Sequence, residues 1–391
     1  MFENTLTERA YGVLIAGLML LALLKNKIRI NSLSVIMLLI LFVMIASRAS
    51  ITYLLFYSAL FVIVSIGVKE DFIVTLSCLI NFFSCIQIIG MLICWMLPGI
   101  YVNIFLPVFS GIDYYSRLYD SVISGASNIG FTCQNAHFAG FMVLGMANRF
   151  ILYRDNKPYL KQRTFIFLFL SIIGLYLSGK RAHFGFCLIA LLIAYYFSVY
   201  LSQGKASRLK RFLGMSLLGC SIFLCLWIIS FFVEGTLINQ LFDTLSSLGD
   251  SDVDVTTGRV EFWRIALQKF RDEPVLGIGW KQFYKLKFYG KNYDVHNIYL
   301  QLLCETGLVG AIVFFILFAI VFAKTLSYLK KKTTDTYKKK IALFALFYQI
   351  FFLLYGVTGN PLYDASYYIF YFVCVAFITA VPAVKRNGDF Q

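Results

Sequence analysis

Residues 297–323 read NIYLQLLCETGLVGAIVFFILFAIVFA, and Glu305 is the one charged side chain in the run. As a helix rising about 1.5 Å per residue the segment is about 40 Å long, more than the roughly 30 Å hydrocarbon core of a bilayer. Its first turns therefore stand at an interface and the remainder crosses. Comparable apolar runs precede it at 11–24, 31–46, 51–68, 72–97, 134–152, 164–178, 183–201 and 212–232, and follow it at 341–357 and 366–383. In hydrocarbon only a helix satisfies its own backbone N–H and C=O groups within one segment. The chain is thus predicted to be an all-α polytopic membrane protein. Residues 1–391 form a single membrane domain, with about eleven transmembrane helices in a range of roughly ten to twelve. With 60% apolar and 18% aromatic residues, no soluble domain class fits. The first run follows acidic Glu3 and Glu8 and shows no clear small-residue cleavage site, so it reads as a span, not a removable leader.

The net charge of +15 follows membrane sidedness. Lys25, Lys27 and Arg29 follow the first span, and Lys385 and Arg386 follow the last. Between them, Arg149 to Arg163, Lys205 to Arg211 and Lys324 to Lys340 mark three basic connectors. The positive-inside bias assigns all of these to the cytoplasm. That puts the C-terminus inside, the N-terminus outside and the site of chemistry on the extracytoplasmic face. The bases belong to no groove-reading module, which argues against nucleic acid as a partner. Eight of the nine cysteines lie in or at the edges of spans and no CxxC pair exists, so they read as small packing residues.

Two extracytoplasmic segments are expected, 98–133 and the larger 233–295. The larger one carries nine acidic and eight basic residues. Within it Trp263, Ala266 or Leu267, and Phe270 recur at helical spacing, predicting a helix from Gly258 to Asp272 with its apolar face inward. Thr257 caps its start and Pro274 stops it. Gly277-Ile278-Gly279-Trp280 reads as a tight turn with close backbone approach. Asp250, Asp252, Asp254 and Glu261 echo a calcium-loop spacing, and the first three contain an Asp-x-Asp. Val255 stands where that loop needs glycine and the helix already claims Glu261, so a solvated acidic turn is the preferred reading and no metal is expected.

All three histidines, His137, His183 and His296, fall at outer ends of spans on this topology. An imidazole titrating at about 6.5 can take a proton from a hydroxyl at neutral pH. His296 stands at a helix start, whose positive end disfavours the imidazolium. A capping or headgroup contact is the bland alternative. Arg181, after Ser178-Gly179-Lys180, and Arg259, at the start of the loop helix, can each hold an anionic group bidentately or simply meet lipid phosphate. Together with Lys180 they match the charge of a diphosphate. Glu305 lies nine residues from His296, on the opposite helix face, so pairing with an arginine or a backbone amide is expected.

In order and separation, several motifs resemble the O-antigen ligase/polymerase family of bacterial membrane glycosyltransferases, over roughly residues 130–325. They are Asn135-Ala136-His137-Phe138-Ala139, Ser178-Gly179-Lys180-Arg181, Thr257-Gly258-Arg259, Pro274-x-x-Gly277-x-Gly279 and His296-Asn297-x-Tyr299-Leu300, continuing to Glu305-x-Gly307. The resemblance implies the large helical fold of lipid-sugar glycosyltransferases (GT-C-like). It implies a glycan donor on polyprenyl (undecaprenyl) diphosphate, with no cofactor, no metal and no nucleotide sugar. It makes His296 the base that activates the acceptor hydroxyl, and Arg181, Arg259 and Lys180 the donor-diphosphate residues. Asn297, Tyr299, Glu305 and His137 are then supporting residues. By the same analogy a chain-length regulator and a flippase are partners in the bacterial cytoplasmic membrane.

The preferred reading is a polymerase that joins lipid-linked repeat units for a capsule or exopolysaccharide, with inversion at the anomeric carbon. The alternative acceptor is lipid A core, which makes the protein a ligase. A transporter without chemistry and a peptidoglycan-type polymerase using a loop aspartate are the other classes.

Overall fold

The computed structural model describes residues 17–28, 30–67, 70–111, 115–152, 158–200, 214, 259–288, 291–330 and 336–380. The expected span 212–232 apart from residue 214, the acidic turn Asp250–Asp254 and the cap Thr257 lie outside the described residues, as does the start of the first span. Residues 17–25 are helical. The labelled helices are α1 (Ser32–Ala46), α2 (Ile51–Ile66), α3 (Glu70–Met96), α4 (Tyr115–Ile123), α5 (Asn135–Ala147), α6 (Pro158–Leu177), α7 (Arg181–Tyr200), α8 (Arg259–Asp272), α9 (Ile298–Lys330), α10 (Thr336–Tyr355) and α11 (Ala365–Ala380). An antiparallel ribbon, β1 (Lys287–Phe288) with β2 (Lys291–Asn292), is the strand pairing among the described residues. The sequence did not announce it.

Local chemistry sets the helix ends. Asn31 caps α1, its Oδ1 accepting from the N–H of Leu33 at 2.8 Å and Ser34 at 3.1 Å, while Ser34 Oγ accepts from the Asn31 N–H. Gly67, at φ 78°, follows α2. Pro98 closes α3, because the residue before a proline leaves the helical region. By length and composition, Asp71–Met96 and Ile298–Lys330 are the two described helices that can cross a membrane unaided. Ser32–Ala46, Ile51–Ile66 and Ala365–Ile378 are among the shorter apolar helices.

The chain divides into two compact units, Met1–Val74 with Arg259–Gln391, and Thr75–Gly258. In the first, α9 packs on α1, α8 and α10, and α11 packs on α2 and α10. Its centre is aromatic. The buried Trp280 stacks on Tyr363 at 4.5 Å and meets Tyr57 and Phe314. In the second unit, segment 98–123 forms a small core of Tyr101, Leu106, Leu118 and Val122 with Cys94 and Ile129. Polar pairs tie helices together inside both units: Gln349 Nε2 donates to Thr325 Oγ1 at 2.8 Å, and Ser77 Oγ to Asn148 Oδ1 at 2.7 Å. Large apolar side chains face outward along α1 (Leu39, Phe42, Ile45), α3 (Phe72, Phe82, Ile89, Trp95) and α9 (Leu308, Ile312, Ile316). Such a surface is unstable in water and natural against lipid.

Candidate functional site

α9 is not the continuous rod that its apolar run predicts. Gly307 sits at φ 62°, ψ −167°, dividing it into 298–306 and 308–330. A break strands backbone groups that hydrocarbon cannot satisfy, and the chain segment Pro274–Gly279 satisfies them. The N–H groups of Ile278 and Gly279 donate to the carbonyls of Cys304 and Glu305 at 2.9 and 3.0 Å. Leu308 and Val309 donate in turn to the carbonyls of Pro274 and Val275 at 2.8 and 3.3 Å. Two glycines allow this approach. A Cβ on Gly277 would come within 2.5 Å of the Glu305 carbonyl carbon, and one on Gly307 within 2.3 Å of Val275 backbone. The Pro274-x-x-Gly277-x-Gly279 and Glu305-x-Gly307 motifs are two halves of one backbone lock.

Glu305, fully buried, continues the lock with its side chain. Its Oε2 accepts from the Lys281 N–H at 2.7 Å, and its Oε1 from the Phe283 N–H at 3.2 Å and Gln301 Nε2 at 3.1 Å. Gln301 Nε2 also reaches Asp294 Oδ1 at 3.2 Å. Asp294 holds the Lys281 ammonium through both carboxylate oxygens, at 2.9 and 3.0 Å. Burial alone lowers the Lys281 pKa, but Asp294, with Tyr53 and then Glu305 adding to it, outweighs burial and holds the ammonium above its ordinary value. The same Glu305 carboxylate adds to burial in pushing the neighbouring Tyr363 phenol well up.

Two residues after Asp294 comes His296, half-buried and at φ 54°. Left-handed backbone at a non-glycine residue costs about 1–3 kcal/mol and persists where neighbours over-determine it. Here they do so from both sides. The preceding carbonyl, of Val295, accepts from Trp263 Nε1 of α8 at 3.1 Å. The following residue, Asn297, caps α9, its Oδ1 accepting from the N–H groups of Tyr299 and Leu300 at 3.0 and 3.1 Å. The Ile298 N–H then donates to the Gly356 carbonyl at 2.8 Å and the Tyr299 hydroxyl to the Leu353 carbonyl at 2.7 Å. Arg259 opens α8, and its Nη1 donates to the Thr358 carbonyl at 3.1 Å. Both His296 and Arg259 are therefore anchored through the turn that follows α10. α8 itself packs Ala266 with Phe262, Trp263 and Ile265 against Phe283, Val295 and Cys304. Leu267, an alternative inward position, is 41% exposed.

His137, Lys180 and Arg181 belong to the second unit. Gly179, at φ 67°, turns the chain from α6 into α7, and Ser178 Oγ accepts from the Lys180 N–H at 3.2 Å. The turn rests on residues 126–128. The Asn128 N–H donates to the Leu177 carbonyl at 2.7 Å, and a Cβ on Gly179 would lie 3.1 Å from the Ala126 carbonyl oxygen. Asn128 Nδ2 binds the Met91 carbonyl at 3.0 Å, and Gln87 Oε1 accepts from the Phe131 N–H at 2.8 Å. One short segment thus supports both the Arg181 turn and the start of α5, where His137 Nδ1 lies 3.7 Å from Cys133 Sγ. Sequence reasoning missed Lys281, Asp294, Gln301 and Asn128. Only Gln301 had a signal, as the residue four before Glu305 and four after Asn297 on one helix face.

Among the described residues no cluster of three or more His, Cys, Asp or Glu side chains could hold a metal ion. Residues 166–315 match the O-antigen ligase family. A comparison with curated proteins finds no match. The matched segment includes the Arg181 turn, α8, the backbone lock, His296 and Glu305. The match and the apolar exterior together mark the chain as a membrane protein that, over residues 166–315, is similar to the O-antigen ligase family.

Proposed function

We propose that the protein is a polysaccharide polymerase that joins polyprenyl-diphosphate-linked oligosaccharides at the outer face of the cytoplasmic membrane. His296 takes the proton of the acceptor hydroxyl as that oxygen attacks the anomeric carbon of the donor. The bond to the donor diphosphate breaks on the opposite face, so configuration inverts. Polyprenyl diphosphate is a good leaving group, which leaves the enzyme to supply one base, charge stabilisation and alignment. Arg259 meets the departing diphosphate. Arg181 and Lys180 take the same role through the family resemblance. Glu305, with Lys281, Asp294 and Gln301, fixes the backbone that carries His296, and Asn297 and Tyr299 fix the helix start behind it.

The observation that carries this reading is the strained backbone of His296, pinned on both sides and joined to Arg259 through one turn. Strain at a titratable residue whose helix start shares an anchoring turn with an arginine is expected of a reaction site. A transporter has no need of it.

The test supplies purified full-length protein with polyprenyl-linked repeat units as the sole glycan. Chains longer than one unit are expected. Elongation that waits for added lipid A core assigns the protein to the ligases, the reading that the shared family motifs leave beside this one. A product whose new linkage retains configuration contradicts the inverting mechanism.

A further inference from the structure

Polymerases and ligases differ in acceptor, so the groups that read the acceptor belong outside the segment the family shares. That segment ends at residue 315. The later chain meets the His296 region at the turn after α10, where Gly356 and Thr358 accept hydrogen bonds from Ile298 and Arg259. The turn carries two polar atoms that are buried without a hydrogen-bond partner, Thr358 Oγ1 and Asn360 Oδ1. Gln301 Oε1, from the network beside His296, is a third. Such atoms are few in a folded chain, and each forfeits free energy until something pairs with it. The turn around them is closely packed. A Cβ on Gly356 would lie 2.6 Å from Ile298 Cδ1, and one on Gly359 2.5 Å from the Tyr355 ring. Thr358 and Asn360 are each only half-buried as whole side chains, so a change of rotamer presents their polar ends.

We propose that the 356–360 turn is the acceptor subsite of the reaction proposed above, with Thr358 and Asn360 hydrogen-bonding hydroxyls of the acceptor sugar beside His296. A threonine hydroxyl gives and accepts a hydrogen bond and an amide oxygen accepts. The pair suits adjacent sugar hydroxyls and carries no positive charge to match a diphosphate. The inference rests on the glycosyltransferase reading and fails separately from it.

Two probes separate the outcomes on the full-length protein: the octyl glycoside of the strain's repeat-unit oligosaccharide, which has no diphosphate, and sugar-free polyprenyl diphosphate. Thr358→Val and Asn360→Leu are each expected to weaken glycoside binding about threefold to tenfold and leave diphosphate binding within about twofold. Thr358→Ser restores the glycoside affinity, which a variant damaged in folding does not. Unchanged glycoside binding, or equal loss of both probes with no rescue by serine, overturns the subsite while the proposed reaction stands. A wild-type protein that binds neither probe overturns both.

Discussion

Glu305 illustrates how a buried carboxyl group is accommodated within an apolar helix. It is fully buried, yet its two oxygens receive two backbone N–H groups and the Gln301 amide. Glu305→Gln keeps the shape and replaces one accepting oxygen with a donor, so one buried N–H loses its partner. The expected loss is about 1–3 kcal/mol, read as a lowered thermal unfolding midpoint in detergent, and an unchanged midpoint contradicts it. Lys281 makes a pH prediction. Its pKa is raised in the folded state chiefly by Asp294, with Tyr53 and Glu305 adding to it, against burial. Stability from this pair is therefore present below the ordinary lysine value of 10.5 and is lost as pH rises through the folded-state value. Lys281→Met should remove that alkaline decline; a mutant that destabilises with pH as the wild type does rules the pair out as its cause.

The interrupted helix α9 and the segment Pro274–Gly279 form the element that carries the proposed site. Gly307→Ala forces a side chain into left-handed backbone and onto Val275, with an expected cost of about 2–6 kcal/mol. Gly185→Ala in α7, where a Cβ meets nothing within 4 Å, should be neutral or stabilise by up to about 1 kcal/mol. Comparable midpoints for the two variants refute the lock. These elements also mark where the sequence was legible. Helix α8 declared itself because Trp263, Ala266 and Phe270 repeat at 3.6-residue spacing, and the start of α9 because Asn297 is a strong cap before an apolar run. The break at Gly307 was hidden. A glycine in a span differs from alanine by only about 1 kcal/mol locally, and the segment that satisfies the break lies about 30 residues earlier in the chain. Lys281 with Asp294 was equally silent, since a pair closed across a ribbon leaves no periodic trace. His296 and Arg259 stood out as candidates from residue type and position. What the coordinates add is their shared anchorage at the 356–360 turn.

Over the whole molecule, the outward apolar residues set the solvent and the buried polar groups set the chemistry. His296, Arg259 and Glu305 lie in the unit built from both chain ends, and Lys180, Arg181 and His137 in the intervening unit. The proposed reaction asks one imidazole to act as base while cationic groups hold a lipid diphosphate. The most direct measurement is the rate of elongation by purified wild-type and His296→Gln protein on polyprenyl-linked repeat units, with polyprenyl diphosphate binding measured alongside. The expected result is a rate lowered by about 100-fold to 10,000-fold, with binding of the diphosphate retained. Elongation by His296→Gln at the wild-type rate would contradict the account.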